Sequence, residues 1–285
     1  MLISFLVGKN GNAQKPLRPI IQKYNVQLGD LDQHYRLCGN GQPLLLIHGL
    51  TLTWRIWHPY IDFLATKHKL IIPDIRGHGD TPNPSDSLTQ WQVARDMLAL
   101  LDTLGIEQVQ IIGYSFGGHI ALRMAALKPR RVEAMIIVAG AHRLIGYSRK
   151  VHEEEVQLPI PSDWWLDEVS KWHPGGEEQV RCLYRQGTAA ALSDGFAISD
   201  SSLKNISART LIIQGDRDYY FPIEVAVDLY HKLPTAQLWV IPNAGHAAIF
   251  VLPGIAPMDV DFGGSMLASR IFPEIVESFL TRNVP

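Results

Sequence analysis

The stretch IIGYSFGGHI at positions 111 to 120 sets Ser115 between Gly113 and Gly117, with Gly118 directly after. A serine hydroxyl is a weak nucleophile at neutral pH and becomes effective when a neighbouring base takes its proton as it attacks. The apolar run Val109 to Ile112 reads as a short buried strand, and Ile120, Ala121, Met124, Ala125 and Leu127 recur afterwards at helical spacing. A strand that turns at once into a helix crowds the backbone, so positions two before and two after the turn residue tolerate almost no Cβ. Gly113 and Gly117 fill those positions. The pattern is a G-x-S-x-G nucleophile elbow, and it predicts Ser115 as a nucleophile that forms an acyl-enzyme.

The base for such a serine is usually histidine, whose ordinary pKa lies near neutrality, held in turn by a carboxylate. Of the 11 histidines, His246 in IPNAGHAA lies five residues beyond the last predicted strand, in a loop containing Asn and Gly. Asp218 in GDRD lies four residues beyond the strand TLIIQ. Catalytic groups of an open parallel sheet collect at the carboxyl ends of its strands, and all three residues fall there. Asp216 competes with Asp218, which is preferred because it lies further out of the turn. His48, His78 and His119 sit near glycines and read as structural histidines bonded to backbone; His231 reads as a solvated residue on a helix.

Three residues so far apart in sequence need a scaffold that brings strand ends together. KYNVQL, QHYRLC, PLLLIHG and LIIPD read as strands, as do 109–112, VEAMIIVAG, TLIIQG and QLWVIP, with helical segments between most of them. The clearest helix begins at Ser87, where Ser87 and Gln90 have capping-box spacing and Trp91, Ala94, Leu98 and Leu101 line one face. This rhythm predicts an α/β fold with a mostly parallel central sheet and helices on both faces. Between 141 and 204 the rhythm breaks into an acidic run at Glu153 to Glu155, prolines at 159 and 161 and a helix near Glu177 to Tyr184. The expected organisation is a core of residues 23–140 and 205–285, a helical insertion at 141–204 and an N-terminal extension at 1–22.

A formal net charge of -2 offers no electrostatic footprint for nucleic acid or anionic membrane, and no apolar run approaches a membrane span, so a small-molecule partner is expected. Cys38 and Cys182 are far apart and lack metal-ligand spacing, so both are expected reduced, with no metal bound. The N-terminus has no basic region before its short apolar stretch, which points to a cytoplasmic protein.

LLLIHG at 44 to 49, IPDIRGHGDT at 72 to 81, GYSFGG, GDRD and NAGH together resemble the α/β-hydrolase superfamily, from about Lys23 to Leu280. The order Ser115, Asp218, His246 is the order of that family's triad. The resemblance implies an oxyanion hole made by the backbone N–H groups of Leu50 and Phe116, and it makes the 141–204 insertion a cap in which substrate selectivity resides. Trp164, Trp165 and Trp172 become candidates to line an apolar pocket or to pack the cap onto the core; Trp54 and Trp57 follow the oxyanion turn and are candidates to reach the same pocket, with one of them expected buried where a helix packs on the sheet. Ser115 stands where dehalogenases and epoxide hydrolases of this fold carry aspartate, which disfavours those reactions. The implied activity needs no cofactor: hydrolysis of a small or medium, mostly apolar carboxylic ester, lactone or thioester. The alternatives are hydrolysis of a C–C bond beside a ketone by the same triad, or a non-catalytic small-molecule receptor. The segment after His246, through Arg270, is longer than the family's usual linker.

Overall fold

Alternate residues of the apolar runs face opposite sides of one sheet, and both sides are covered. The protein is seen in a computed structural model that describes residues 19–145, 149, 150, 153, 163–250 and 263–281. Eight strands run in the order β1-β2-β4-β3-β5-β6-β7-β8. They are β1 (Gln22–Leu28), β2 (Leu31–Cys38), β3 (Gln42–Ile47), β4 (His68–Pro73), β5 (Val109–Tyr114), β6 (Val132–Val138), β7 (Arg209–Gly215) and β8 (Ala236–Ile241). β1 and β2 pair antiparallel, β2 joins β4 antiparallel, and every pairing from β4 through β8 is parallel. The sheet is thus mostly parallel, and its six parallel strands end along one edge.

The period of two along each strand sorts the core into two layers. Leu44, Leu46, Ile72, Ile112 and Ile213 face α1 (His58–Leu64) and α8 (Met266–Leu280), packing with Trp57, Leu64, Phe272 and Val276. Leu45, Ile47, Ile71, Ile111 and Ile212 face α2 (Gln90–Thr103), α3 (Phe116–Leu127) and α7 (Ile223–Lys232), against Val93, Met97, Ile120, Met124 and Leu229. Of the two tryptophans that follow the turn after β3, Trp57 is fully buried and Trp54 is half-buried against the same core layer. Between β6 and β7 lie α4 (Asp163–Ser170), α5 (Gly176–Leu192) and α6 (Asp200–Lys204).

Helix boundaries depart from the sequence reading where side chains compete for the backbone. α2 starts at Gln90, and Thr89 caps it by accepting from the Gln92 N–H at 3.2 Å. Ser87 is outside the helix because its carbonyl is taken by Asn83 Nδ2 at 3.0 Å and Ser85 Oγ at 2.9 Å, in a turn built around Asn83. α5 runs well past Tyr184, and α8 begins at Met266, seven residues before its internal Pro273. Most of the N-terminal extension and of the long segment after His246, and Trp164's side chain, lie outside the described residues. Among the described residues no helix is long and apolar enough to cross a membrane.

Candidate active site

Ser115 joins β5 directly to α3 and adopts φ 51°, ψ -115°. A non-glycine residue held there costs on the order of 1–3 kcal/mol, so the surrounding packing must enforce it. It does so on both sides. The Ser115 N–H donates to Val138 O at 2.8 Å, and its carbonyl accepts from His119 N at 3.1 Å. A Cβ on Gly117 would fall against the backbone of Ile47 and His48, and one on Gly113 against the backbone of Gly117 and Gly118. The two glycines are therefore required by close approach between β3, β5 and the start of α3.

The turns after β7 and β8 carry the other two residues and are laced together. Asp216 N donates to Ile241 O at 3.1 Å, Arg217 N to Ala244 O at 3.0 Å, and Ala244 N to Asp216 Oδ1 at 3.3 Å. Asp216 thus ties one turn to the other. Asp218 faces inward: its Oδ2 lies 2.8 Å from His246 Nδ1, and His246 Nε2 lies 2.9 Å from Ser115 Oγ. With Nδ1–H donating to the carboxylate, Nε2 is left as the acceptor for the serine hydroxyl. Asp218 and His246 are buried, while Ser115 is half-buried.

The carboxylate is fully used. Oδ1 accepts from the N–H groups of Tyr220 at 2.9 Å and Phe221 at 3.0 Å, and Oδ2 also accepts from Gln214 Nε2 at 2.8 Å. Gln214 donates as well to Phe221 O at 2.7 Å, so it braces both the acid and the turn that carries it. This residue was not singled out in the sequence, although a glutamine ending the apolar run TLIIQ was the visible signal. The rings of Tyr114, Tyr220 and Phe221 surround His246 at centroid distances of 5.6, 4.9 and 5.7 Å. Burial and the nearby Asp218 charge push the Tyr114 phenol well above its ordinary pKa, which keeps it neutral beside the imidazole.

Leu50 lies in the turn after β3 and Phe116 is the first residue of α3. A first-turn N–H has no intrahelical acceptor, so the Phe116 amide is available at the helix N-terminus beside Ser115. The turn at 49–52 closes with Leu52 N donating to Gly49 O at 3.2 Å, and Thr51 takes φ 60°. His48 and His78 are fully buried and bond to backbone, as their sequence setting suggested: His48 to Gly49 and Ile75, His78 to Thr51 and Arg76. His119 instead packs edge-on against Phe196 and Phe221, both at 5.1 Å. His231 is exposed.

The insertion helices bury Leu166, Val169, Val180 and Leu183 in the core layers and meet this base through side-chain contacts. Gln179 of α5 donates to the carbonyls of Gly77 at 2.8 Å and Gly79 at 3.2 Å. A Cβ on Gly187 would stand 2.5 Å from Leu50 Cδ1, so this glycine lets α5 close onto the turn after β3. Trp165 of α4 donates from Nε1 to Thr51 Oγ1 at 3.3 Å, and its ring packs, half-buried, on the core layer under α1. Trp172 packs on the same layer. Trp54 lies with its ring 4.3 Å under the Arg36 guanidinium, which pairs with the buried Asp74 at 2.8 Å.

A serine, histidine and aspartate in one hydrogen-bonded line at the carboxyl edge of a mostly parallel eight-stranded sheet is the architecture of an α/β hydrolase. A family model for the alpha/beta hydrolase fold matches residues 42–181. The chain belongs to the α/β-hydrolase superfamily and is a hydrolase. It is 26% identical over 247 residues to RutD of Azorhizobium caulinodans, a protein named for carbamate hydrolysis, covering 80% of this chain and 92% of RutD. It is 28% identical over 231 residues to the 2-hydroxymuconate semialdehyde hydrolase of Pseudomonas sp. strain CF600, covering 73% of this chain and 81% of that enzyme. Among solved structures, MGS-M2, an alpha/beta hydrolase from a Medee basin deep-sea metagenome, superposes with a TM-score of 0.75 at 21% identity, over 92% of this chain and 98% of that one.

Proposed function

We propose that this hydrolase is a cofactor-independent serine hydrolase that cleaves a small or medium, mostly apolar carboxylic ester, lactone or thioester through an acyl-enzyme on Ser115. The observation that carries this reading is the continuous line from Asp218 Oδ2 through the His246 ring to Ser115 Oγ, with both contacts within hydrogen-bond length. His246 Nε2 takes the Ser115 proton as Oγ attacks the carbonyl carbon, and Asp218 stabilises the imidazolium that forms. The Leu50 and Phe116 amides receive the oxyanion, a role in which one donor is worth about 2.7–4 kcal/mol of barrier. The imidazolium then protonates the leaving group. A water deprotonated by the same nitrogen releases the acid. An apolar substrate is supported by the aromatic rings around His246 and by the leucine side chain that α5 meets at the oxyanion turn.

Residues 141–204 act in this reading as a cap that selects the substrate, with Trp164 and Trp165 as candidates for its inner wall and Trp54, after β3, as a candidate for the facing wall of the pocket. The likeness to a 2-hydroxymuconate semialdehyde hydrolase favours one second reading, cleavage of a C–C bond beside a ketone with the same triad. Turnover of p-nitrophenyl esters of increasing chain length, run beside a vinylogous diketone, separates the two. The ester reading requires Ser115-dependent ester turnover above that of the diketone; diketone cleavage with negligible ester turnover would replace it with the second.

A further inference from the structure

The turn that carries Leu50 is held by a histidine from another strand end. His78, in the loop after β4, receives the Thr51 N–H on its Nε2 at 3.1 Å, and its Nδ1 lies 2.9 Å from its own loop's Arg76 carbonyl. His48, at the end of β3, mirrors it: its Nε2 receives the Ile75 N–H at 3.1 Å, and its Nδ1 lies 2.8 Å from the Gly49 carbonyl. The two rings meet at 5.0 Å. Each loop thus lends an imidazole that accepts a backbone N–H of the other loop, and each ring's second nitrogen bonds a carbonyl of its own loop.

The chemistry of this clasp admits one protonation state. A backbone N–H can only donate, so both Nε2 atoms carry lone pairs and both Nδ1 atoms carry the proton. An imidazolium would set N–H against N–H at Thr51 and at Ile75. Burial pushes His48 down to about 4 and His78 well below its ordinary value, each lowered further by neighbouring histidine. The groups facing the pair are the buried Asp74–Arg36 ion pair and His173, whose ring comes from the segment after α4 to within 6.2 Å of His78.

We propose that His78 is a positioning residue for catalysis: by accepting the Thr51 N–H it holds the 49–52 turn at its positive φ and aims the neighbouring Leu50 amide at the oxyanion. This rests on the reading above, in which Leu50 supplies an oxyanion-hole donor. Thr51 is the turn's left-handed residue, and an unheld β-branched residue leaves that region readily. Losing the acceptor frees the turn and swings the Leu50 N–H away without touching Ser115, His246 or Asp218.

Two polar substitutions separate reach from bulk. In His78→Gln the amide oxygen extends to about the place of Nε2 and accepts from Thr51; in His78→Asn it stops short, near Nδ1. With a p-nitrophenyl ester the account expects His78→Asn to lower kcat by about 10- to 100-fold, part of the loss typical of a missing oxyanion donor, with KM changed less than about threefold. His78→Gln should recover kcat to within about fivefold of wild type. Equal losses in both variants, or a loss confined to KM, would overturn the positioning role. The wild-type protein gives a readout free of turnover: 15N NMR should show His78 neutral with its proton on Nδ1 at pH 6, and an Nε2-protonated ring would break the clasp. If wild type shows no Ser115-dependent acylation, the serine-hydrolase reading fails and the positioning role with it. Acylation that persists while Asn and Gln behave alike removes only the role of His78.

Discussion

The base of the site and the helices above it are held by different means. Ser115, Asp218 and His246 stand on turns between sheet strands and are fixed largely by main-chain bonds, such as Ser115 N to Val138 O and the Tyr220 and Phe221 amides on Asp218. α4 and α5 are held on that base by side chains: Leu166, Val169 and Val180 are buried in one core layer and Leu183 in the other, Gln179 bonds two glycine carbonyls, Trp165 bonds Thr51, and Leu50 lies beneath Gly187. Main-chain geometry at strand ends repeats wherever a sheet of this kind is built, so it places reacting atoms rigidly. Side-chain clamps can be rearranged one at a time, which suits a surface that selects the substrate.

The sharpest way to break this contrast is to remove the nucleophile. Ser115→Ala should lower kcat on the order of 10⁶-fold. Urea denaturation should find it no less stable than wild type, because the fold is enforced around the turn and not by the hydroxyl. Asp218→Asn should cost on the order of 10⁴-fold in kcat, since an amide there favours the wrong imidazole tautomer. A loss below tenfold would show that the line through Asp218 is incidental.

Gln214 tests whether the base depends on more than Ser115, Asp218 and His246. Gln214→Leu removes donors to the Asp218 carboxylate and to Phe221 O, with a destabilisation of about 1.5–3 kcal/mol expected by chemical denaturation. Its kcat should fall by roughly tenfold, equivalent to about 1.4 kcal/mol of barrier, and KM should hold.

Buried histidines make the base sensitive to acid. His48 is held down to about 4 against an ordinary value of 6.5, so the unfolded chain binds its proton at a pH where the folded one does not. Stability is therefore lost as pH falls from about 6.5 to 4, by about 3 kcal/mol from His48 alone when the shift is fully expressed. His142, also lowered to about 4 by burial, adds in the same direction. Urea midpoints at pH 7 and pH 4.5 measure it, and His48→Asn should flatten the dependence.

The smallest effect belongs to the upper layer. Trp165→Phe keeps an aromatic ring, gives up part of the indole's packing area and loses one neutral hydrogen bond to Thr51, worth about 0.5–1.5 kcal/mol. The expected result is a shift in KM and in preference among ester chain lengths, with kcat within about threefold. A kcat loss as large as that of Gln214→Leu would show that α4 belongs to the catalytic base.

The same contrast explains what could be read from the sequence. The elbow was legible because Gly113 and Gly117 are demanded by backbone contact, which leaves a fixed pentapeptide. Asp218 and His246 were legible from their distances past strands whose apolar runs are unmistakable. Gln214 was hidden because a single polar residue in a buried run does not announce its partner 4 residues on. The reciprocal bonds of His48 and His78 join loops after two strands, and only their structural character could be inferred. Sequence reasoning ends α5 too early because the positions it buries past Tyr184 are Gly187, Thr188, Ala190 and Ala191, small or polar residues that do not read as an apolar stripe. The capping residue of α2 was misplaced because Asn83 captures Ser87 first.

The central claim is that Ser115 is an activated nucleophile driven by His246. Intact-mass analysis after exposure to a fluorophosphonate, on wild type, Ser115→Ala and His246→Ala, tests it most directly. The account predicts one adduct per chain on wild type, none on Ser115→Ala and strongly slowed labelling of His246→Ala. Labelling that survives Ser115→Ala, or a folded wild type that takes no adduct, would contradict it.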